Sequence, residues 1–237
     1  MVVPCFNELE SLGKLSESLD RLARTLDAEY EVEFLLIDDG SRDGTAEALD
    51  QTFAARNSYR VLRHDSNRGI AAAIMTGLAA AQSDVVCSID ADCTYDPDQL
   101  ARLLPLLTAG VDLVVASPYH PQGRVNNVPR WRLALSKAAS GLYRLALRQK
   151  LHTYTSCFRV YRRSAVIGLE LKNPGFVGIA ELVWLLDRRG SRIVECPAVL
   201  NVRSTGQSKM RVVRAGCSHL RLLGKALLAR IAPRLVR

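Results

Sequence analysis

The sequence lacks the patterns that mark several common classes of protein. Its six cysteines are scattered and none belongs to a Cys-x-x-Cys pair, which argues against a zinc finger and favours reduced, buried thiols in a cytosolic protein. No apolar run reaches the length of about 20 residues that crosses a bilayer. Because the chain opens directly on Met1, Val2 and Val3, we expect no signal peptide. We therefore expect a cytoplasmic protein that is either free or peripheral on the cytoplasmic face of a membrane.

Acidic residues are missing from the last part of the chain. From Arg203 onward the sequence contains nine Lys or Arg and no Asp or Glu, and the 237-residue chain has a formal net charge of +8. The first half is acid-rich, so the charge is unevenly distributed. Neither a ribonucleoprotein signature nor a basic stripe interleaved with aromatic residues is present, and we expect no nucleic-acid partner. The uneven charge favours a nucleotide site close to an anionic membrane surface.

Apolar segments of strand length alternate with helical patterns through the first half of the chain. The predicted strands cover residues 32–37, 59–62, 84–89 and 113–116, and the predicted helices end near Leu26, Ala55, Ala81 and Ala109. Such alternation predicts an α/β fold with a mostly parallel central sheet and helices on both faces. Val2 and Val3 form only a short first strand, which leaves open whether the N-terminus is truncated.

The second half of the chain has a different pattern. A polar loop is predicted at 119–129, helices at 130–147, 180–189 and 212–231, and strands at 154–161 and 192–202. The last helix has one side of Leu and Ile and another of Arg and Lys. This amphipathic pattern fits either a membrane interface or packing on the domain, and both interpretations stay open.

Two predicted strands end in acidic pairs. One runs into Asp90 and Asp92, and the other runs into Asp38 and Asp39. In open α/β folds, ligands bind at the carboxyl edge of the sheet. Close carboxylates raise each other's pKa, and a Mg²⁺ or Mn²⁺ ion that also holds substrate phosphates relieves this repulsion. We therefore predict that Asp90 and Asp92 bind a divalent metal ion.

The residues after the first two strands are candidates for nucleoside binding. An acid early in a nucleotide-binding fold often accepts hydrogen bonds from a ribose or a base, which favours this role for Asp39. Glu8 follows the first strand and is placed to meet the same nucleoside. Ser41 and Asp43 fit a turn or helix cap equally well.

Four motifs follow one another in a specific order. They are Pro-x-x-Asn-Glu at 4–8, Asp-Asp-Gly-Ser-x-Asp-Gly-Thr at 38–45, Asn-Arg-Gly at 67–69 and Asp-Ala-Asp at 90–92. This order resembles the family-2 glycosyltransferases, especially the branch of dolichyl- and polyprenyl-phosphate mannose and glucose synthases. The resemblance implies a Rossmann-like GT-A fold, a GDP- or UDP-hexose donor, a Mg²⁺ or Mn²⁺ cofactor and inversion at the anomeric carbon.

The resemblance also assigns roles to residues. Those assigned to donor binding are Pro4, Asn7, Glu8, Asp39, Ser41 and Asp90. Asp92 is implied as the more direct metal ligand and as a catalytic residue. The implied organisation is one domain over 1–237, with a nucleotide-sugar half at 1–117, an acceptor half at 118–211 and a basic amphipathic helix at 212–237.

Segments of the second half extend the resemblance. Residues 155–161 read Thr-Ser-Cys-Phe-Arg-Val-Tyr, with Cys157 where the family has glycine, and Phe176 with Glu181 resembles a Gly-Phe…Glu element. Residues 203–210 match an Arg-x-x-Gly-x-Ser-Lys-Met loop, which implies that Arg203, Ser208 and Lys209 reach phosphates. A basic surface turn is the alternative for that loop.

Two further arginines are candidates for the acceptor side. Arg159 lies among apolar residues and needs an anionic partner, so we predict that it contacts an acceptor phosphate. Arg130 and Arg132 begin the long helix and fit either a phosphate clamp or a solvated helix face. His120 and His152 are weaker candidates for a base, because isolated histidines more often have structural or surface roles.

The sequence departs from the mannose-synthase pattern at three places. Thr94 stands where a Gln metal ligand is usual, Ala116-Ser117-Pro118 replaces Gly-Ser-Arg, and the C-terminal transmembrane pair of some relatives has no counterpart. These differences concern the sugar and the acceptor more than the type of reaction.

The expected reaction is hexose transfer to a polyprenyl or dolichyl phosphate. A phosphate oxygen is already anionic and needs no strong base, whereas a hydroxyl acceptor requires one, for which Glu181 is the candidate. A sugar-1-phosphate nucleotidyltransferase is disfavoured, because residues 5–9 lack its Gly-rich loop. An inactive nucleotide-sugar-binding relative is disfavoured by the intact Asp90 and Asp92.

Overall fold

The computed structural model of the protein describes residues 1–201 and 212–231. Its strands are β1 (Val2–Cys5), β2 (Phe34–Asp38), β3 (Tyr59–Arg63), β4 (Val85–Ser88), β5 (Leu113–Ser117), β6 (Arg124–Val125), β7 (Arg159–Arg162), β8 (Ile193–Pro197) and β9 (Val199–Leu200). Its α-helices are α1 (Leu12–Leu26), α2 (Thr45–Phe53), α3 (Ile70–Ala80), α4 (Leu100–Leu103), α5 (Arg130–Ala146), α6 (Arg163–Val166), α7 (Phe176–Arg189) and α8 (Val212–Ile231).

Seven strands form the central sheet in the order β3-β2-β1-β4-β7-β5-β8. All neighbouring strands are parallel except β7, which is antiparallel to both β4 and β5. The predicted mostly parallel sheet is therefore confirmed. The chain moves outward from β1 to β2 and β3 and then returns to the other side of β1 as β4, so the strand order reverses between β1 and β4. Ligands of open α/β sheets bind in the crevice at such a reversal.

Helices cover both faces of the sheet. Apolar residues of α1, α2 and α4 pack on one face, and those of α3, α5, α7 and α8 pack on the other. All five residues of β2 are buried, as expected for a strand covered on both sides. None of the helices in the described ranges combines the length and the apolar character needed to cross a membrane.

Three predicted elements are shorter in the structure. The strand predicted at 192–202 is divided into β8 in the central sheet and β9, which pairs with β6 in a separate two-stranded sheet. The helix predicted to end near Ala109 is limited to α4 between two short 3₁₀ turns, because Pro105 lacks the N–H that a continuing helix requires. The strand predicted at 154–161 begins only at Arg159. In the preceding segment Phe158 N donates to Ser156 Oγ, and Tyr154 O accepts from the Arg159 side chain, so these groups do not join a strand ladder.

The cysteines differ sharply in exposure. Five of the six are buried, and Cys217 on α8 is exposed. Burial raises the pKa of Cys87 to about 11, which suppresses the reactive thiolate at neutral pH. We expect one thiol of the native protein to react rapidly with an aromatic disulfide reagent and the others to react only after unfolding. Cys217→Ser is expected to remove the fast phase, and a fast phase of unchanged amplitude would contradict this exposure pattern.

Candidate functional site

The loops after β1, β2 and β4 meet at one edge of the sheet. Cys5 at the end of β1 pairs with Asp38 at the end of β2. Ser88 at the end of β4 pairs with Val2, and Ile89 N donates to Val2 O at 3.2 Å. Residues 90–92 therefore continue alongside the last residues of β1. This geometry brings the acidic ends of β2 and β4 to the two sides of the β1 loop.

Hydrogen bonds join the loop after β1 to the loop after β2. Asn7 N donates to Ser41 Oγ at 2.9 Å, and Glu8 N donates to Thr45 Oγ1 at 2.8 Å. Arg42 N donates to Asn7 Oδ1 at 2.8 Å. Asn7 has a φ of 52°, a left-handed conformation that asparagine tolerates better than most residues. The structure thus brings Asn7, Glu8 and Ser41 into one half-buried cluster.

Asp39 is buried and makes four hydrogen bonds within the protein. Its Oδ1 lies 2.7 Å from His64 Nδ1 and accepts from Arg68 N at 2.8 Å. Its Oδ2 accepts from Asn67 Nδ2 at 3.0 Å and from Gly69 N at 2.8 Å. This carboxylate therefore holds the loop before α3 in place, and its predicted contact with a nucleoside stays a prediction. The sequence reasoning missed His64, although it directly follows β3 at the same edge of the sheet.

Asp90 and Asp92 lie half-buried in the turn after β4. Asp92 Oδ1 accepts from Thr94 N at 3.1 Å, and Cys93 N donates to Asp90 O at 3.3 Å. Among the described residues, no group of three or more His, Cys, Asp or Glu side chains is arranged to hold a metal ion. Two carboxylates are nevertheless a donor set that suits Mg²⁺ or Mn²⁺ when substrate phosphates and water supply the remaining oxygen ligands.

Cys157 lies next to the acidic turn. Burial and, after it, the Asp90 carboxylate hold the pKa of the Cys157 thiol well above its usual range. Ser88 Oγ donates to the main-chain oxygen of Cys157 and lies 3.0 Å from Tyr161 Oη. The segment before β7 is therefore fastened to the end of β4, directly before Asp90. Ser88 is a positioning residue that the sequence reasoning did not identify.

Arg159 lies inside the protein, at the start of β7. Its side chain is fully buried, with no exposed surface. Its Nη1 donates to Ile179 O at 3.0 Å and its Nη2 to Tyr154 O at 2.8 Å. These two bonds tie the segment before β7 to α7. The predicted contact of Arg159 with an acceptor phosphate stays a prediction.

Glu181 is also engaged inside the protein. It is buried, and its Oε2 accepts from Asn173 N at 2.8 Å and from Asn173 Nδ2 at 2.9 Å. Pro174 O in turn accepts from Ala72 N of α3 at 2.9 Å. A Cβ added to Gly69 would lie only 2.6 Å from Pro174 O, so the two loops are in close contact. Glu181 and Asp39 therefore anchor two neighbouring loops.

The remaining predicted site residues have different placements. Pro4 lies within β1 opposite Ile37 and is buried, and its predicted contact with a nucleoside stays a prediction. Arg130 is exposed at the first position of α5. Arg203, Ser208 and Lys209 lie outside the described residues.

The two candidate histidines contact each other, and one of them pairs with an acid. The rings of His120 and His152 have centroids 5.3 Å apart. His152 Nδ1 lies 2.8 Å from Glu195 Oε2, and Glu195 Oε1 accepts from the main-chain N–H groups of His152 and Thr153. This arrangement fixes the loop before β7 to β8.

The profile and the individual relatives that match this sequence all indicate the same family. The profile described as "Glycosyl transferase family 2" matches residues 1–169. Polyprenol monophosphomannose synthase of Mycolicibacterium smegmatis is 33% identical, with 89% of this chain and 80% of that protein covered. Undecaprenyl-phosphate mannosyltransferase of Micrococcus luteus is 33% identical, with coverage of 88% and 86%. Dolichol-phosphate mannosyltransferase of Pyrococcus furiosus is 30% identical over 89% of this chain and 58% of that longer protein.

Comparison with solved structures identifies the same fold. Glucosyl-3-phosphoglycerate synthase from Mycobacterium tuberculosis, in complex with Mn²⁺, uridine diphosphate and phosphoglyceric acid, aligns with a TM-score of 0.67 and 24% identity. The alignment covers 98% of this chain and 77% of that one. A complex of the same enzyme with Mn²⁺ and uridine-diphosphate-glucose aligns with a TM-score of 0.65. At this level of identity the likeness establishes the GT-A fold alone.

Proposed function

Because the chain belongs to glycosyl transferase family 2, we propose that it transfers a hexose from a nucleoside-diphosphate sugar to a polyprenyl phosphate with inversion at the anomeric carbon. The observation that carries this proposal is the meeting of the β1, β2 and β4 loops, with their acidic residues, at the point where the strand order reverses. The names of three relatives, each a mannosyl transferase or synthase for a polyprenyl-type phosphate, support the acceptor class.

The donor's nucleoside is proposed to bind against the cluster of Asn7, Glu8 and Ser41. Hydrogen bonds between the two loops hold this cluster, so little ordering is required when the donor binds. Asp39 is proposed to act in part through the loop at 67–69, which it holds against the same edge. Pro4, which is buried in β1, is proposed to support this cluster from beneath.

The donor's diphosphate is proposed to lie at Asp90 and Asp92. These half-buried carboxylates would hold a Mg²⁺ or Mn²⁺ ion together with phosphate oxygens. When bound, the ion supplies Lewis-acid stabilisation of the departing nucleoside diphosphate. The main-chain N–H of Thr94 orients Asp92, and the segment at Cys157 packs against Asp90.

The engagement of Glu181 favours a phosphate acceptor over a hydroxyl acceptor. A hydroxyl must lose its proton, but Glu181, the base predicted for that reaction, is buried and accepts two hydrogen bonds from Asn173. A phosphate oxygen needs no such base and attacks the sugar from the face opposite the leaving group. Arg130, Arg203, Ser208 and Lys209 are proposed to bind the acceptor phosphate, at a cytoplasmic site beside the membrane.

The acceptor class can be tested directly. We expect the full chain, incubated with radiolabelled GDP-mannose or UDP-glucose, Mn²⁺ and detergent-dispersed undecaprenyl phosphate, to move label from one of the donors into the organic phase. Undecaprenol, which lacks the phosphate but has the same hydrocarbon chain, is the matched control and is expected to stay unlabelled. Equal labelling of undecaprenol, or transfer only to water-soluble acceptors such as 3-phosphoglycerate, would refute the proposal.

A further inference from the structure

The two long helices α5 and α8 pack against each other. Tyr143 Oη of α5 lies 2.7 Å from His219 Nδ1 of α8. Arg230 Nη1 of α8 donates to Leu145 O of α5 at 2.8 Å. The inner sides of both helices join the hydrophobic core, so α8 is part of the folded domain.

The outer sides of the same helices expose large apolar side chains. In the described part of the chain twelve large apolar side chains are exposed, and eight of them belong to these two helices. We call these eight the α5–α8 surface: Trp131, Leu135, Leu142, Leu145, Leu220, Leu227, Leu228 and Ile231. Leu145 is 71% exposed and Ile231 is 80% exposed. Within each helix the spacing of these residues follows helical periodicity, so they share one side.

The charge of the two helices has a single sign. Neither α5 nor α8 contains an Asp or Glu, and each contains four basic residues. The basic residues are Arg130, Arg132, Lys137 and Arg144 on α5, and Arg214, Arg221, Lys225 and Arg230 on α8. A second copy of the chain would bring the same positive charge to this surface, which opposes self-association. An anionic bilayer offers both the opposite charge and an apolar interior.

The α5–α8 surface adjoins the edge of the sheet that carries Asp90. Both β4 and β5 are antiparallel to β7, so β4 and β5 run in the same direction and end at the same edge. Tyr119 follows β5 at this edge and lies beside Ser136 of α5: burial raises the pKa of the Tyr119 hydroxyl, and the nearby Ser136 hydroxyl opposes this shift. The middle of α5 therefore lies beside the loop on the acceptor side of the site.

We propose that the α5–α8 surface docks on an anionic lipid bilayer. Its apolar side chains would lie in the membrane interface, and the basic side chains of α5 and α8 would contact the lipid phosphates. The inference rests on the proposed function in one respect: docking would serve the reaction only if the acceptor is a lipid in the bilayer. Docking would bring the edge with Asp90 and Asp92 close to the bilayer, where a polyprenyl phosphate presents its head. Two attractions, apolar insertion and charge, are combined in the same surface.

Vesicle binding tests the docking surface independently of catalysis. We expect the full chain to sediment with vesicles of one part phosphatidylglycerol to three parts phosphatidylcholine, and to bind pure phosphatidylcholine at least about tenfold more weakly. Raising the salt to about 1 M is expected to weaken binding to the anionic vesicles, because the Debye length falls to about 3 Å. A chain that stays in the supernatant at low salt, or that instead forms a dimer through this surface, overturns the proposal.

Paired variants separate the two contributions. Leu145→Ser with Leu220→Ser removes exposed apolar contacts, and Arg221→Glu with Lys225→Glu reverses the charge. Each pair is expected to weaken binding to anionic vesicles at least about tenfold. The matched controls are Ile167→Ser and Lys172→Glu, which change exposed residues outside the α5–α8 surface and are expected to leave binding unchanged. Equal losses in the controls would overturn the assignment of this surface.

Activity measurements distinguish failure of docking from failure of the proposed function. With a water-soluble, short-chain polyprenyl phosphate, the paired variants are expected to retain wild-type transfer rates. With an acceptor embedded in vesicles, their rates are expected to fall in parallel with vesicle binding. Vesicle binding without transfer to either acceptor would uphold the docking surface and refute the proposed reaction. Transfer from vesicles that is unaffected by the variants would refute the purpose assigned to docking.

Discussion

Replacing Asp92 by asparagine is expected to lower kcat/KM for hexose transfer by about 100-fold or more, the loss typical of removing a preorganised electrostatic group. The substitution keeps the size of the side chain and its acceptor for Thr94 N, but it removes the negative charge. It is measured as the rate of label transfer at saturating Mn²⁺. The same variant is expected to bind nucleoside diphosphate equally with Mn²⁺ and with EDTA, whereas wild-type binding is expected to weaken when EDTA removes the ion.

Asp96→Asn is the matched control for this prediction. Asp96 lies four residues further along and pairs on the surface with Arg21, at 3.0 Å. An exposed ion pair of this kind contributes about 0–1 kcal/mol to stability. We expect near-normal transfer by this variant. If Asp92→Asn retained comparable activity, or if wild-type nucleotide binding were indifferent to EDTA, the proposed metal site would be wrong.

Replacing Asp39 by alanine is expected to lower the free energy of unfolding by about 3 kcal/mol or more, since each buried group left without its hydrogen bond costs about 1–3 kcal/mol. The substitution removes the acceptor for the donors of His64, Asn67, Arg68 and Gly69. His64 is itself buried, so water replaces its lost partner poorly. Urea unfolding followed by circular dichroism measures the loss.

Asp65→Ala provides the comparison for Asp39. Asp65 is an exposed carboxylate next to His64, and a surface substitution of this kind usually changes stability by less than about 0.5 kcal/mol. The two possible roles of Asp39 have different signatures. A variant of normal stability with only a raised KM for the donor would indicate a pure nucleoside contact and contradict the anchoring role. A strongly destabilised variant supports the anchoring role.

Local patterns predicted the elements that carry the site. The apolar run that becomes β2 is buried on both faces, and a strand of that type gives a continuous apolar sequence with an acidic end. The turn at Asp90 and Asp92 follows the buried end of β4, as the same pattern indicated. Helix α3 ends within one residue of its predicted end at Ala81, because no proline or long polar segment interrupts its pattern.

Patterns of single segments did not predict what depends on distant partners. The apolar neighbours of Arg159 indicated that its charge needs compensation, but the main-chain oxygens of Tyr154 and Ile179 provide it, and the second lies 20 residues away on α7. In the same way, the partners of Asp39 come from a loop 25 to 30 residues further along the chain. Hydrogen bonds of this range leave no local signal in a sequence.

By itself, the sequence determined the α/β architecture with a mostly parallel sheet and the order of acidic strand ends, because strand burial and strand-end chemistry are properties of contiguous residues. It also determined that α5 and α8 carry only positive charge. Only the tertiary structure decided which charged groups face solvent and which are anchors: Arg159, Asp39 and Glu181 became internal supports. It also decided that α5 and α8 lie side by side, each with exposed apolar side chains. The physical reason is that burial and long-range hydrogen bonding arise only when separate segments of the chain pack together.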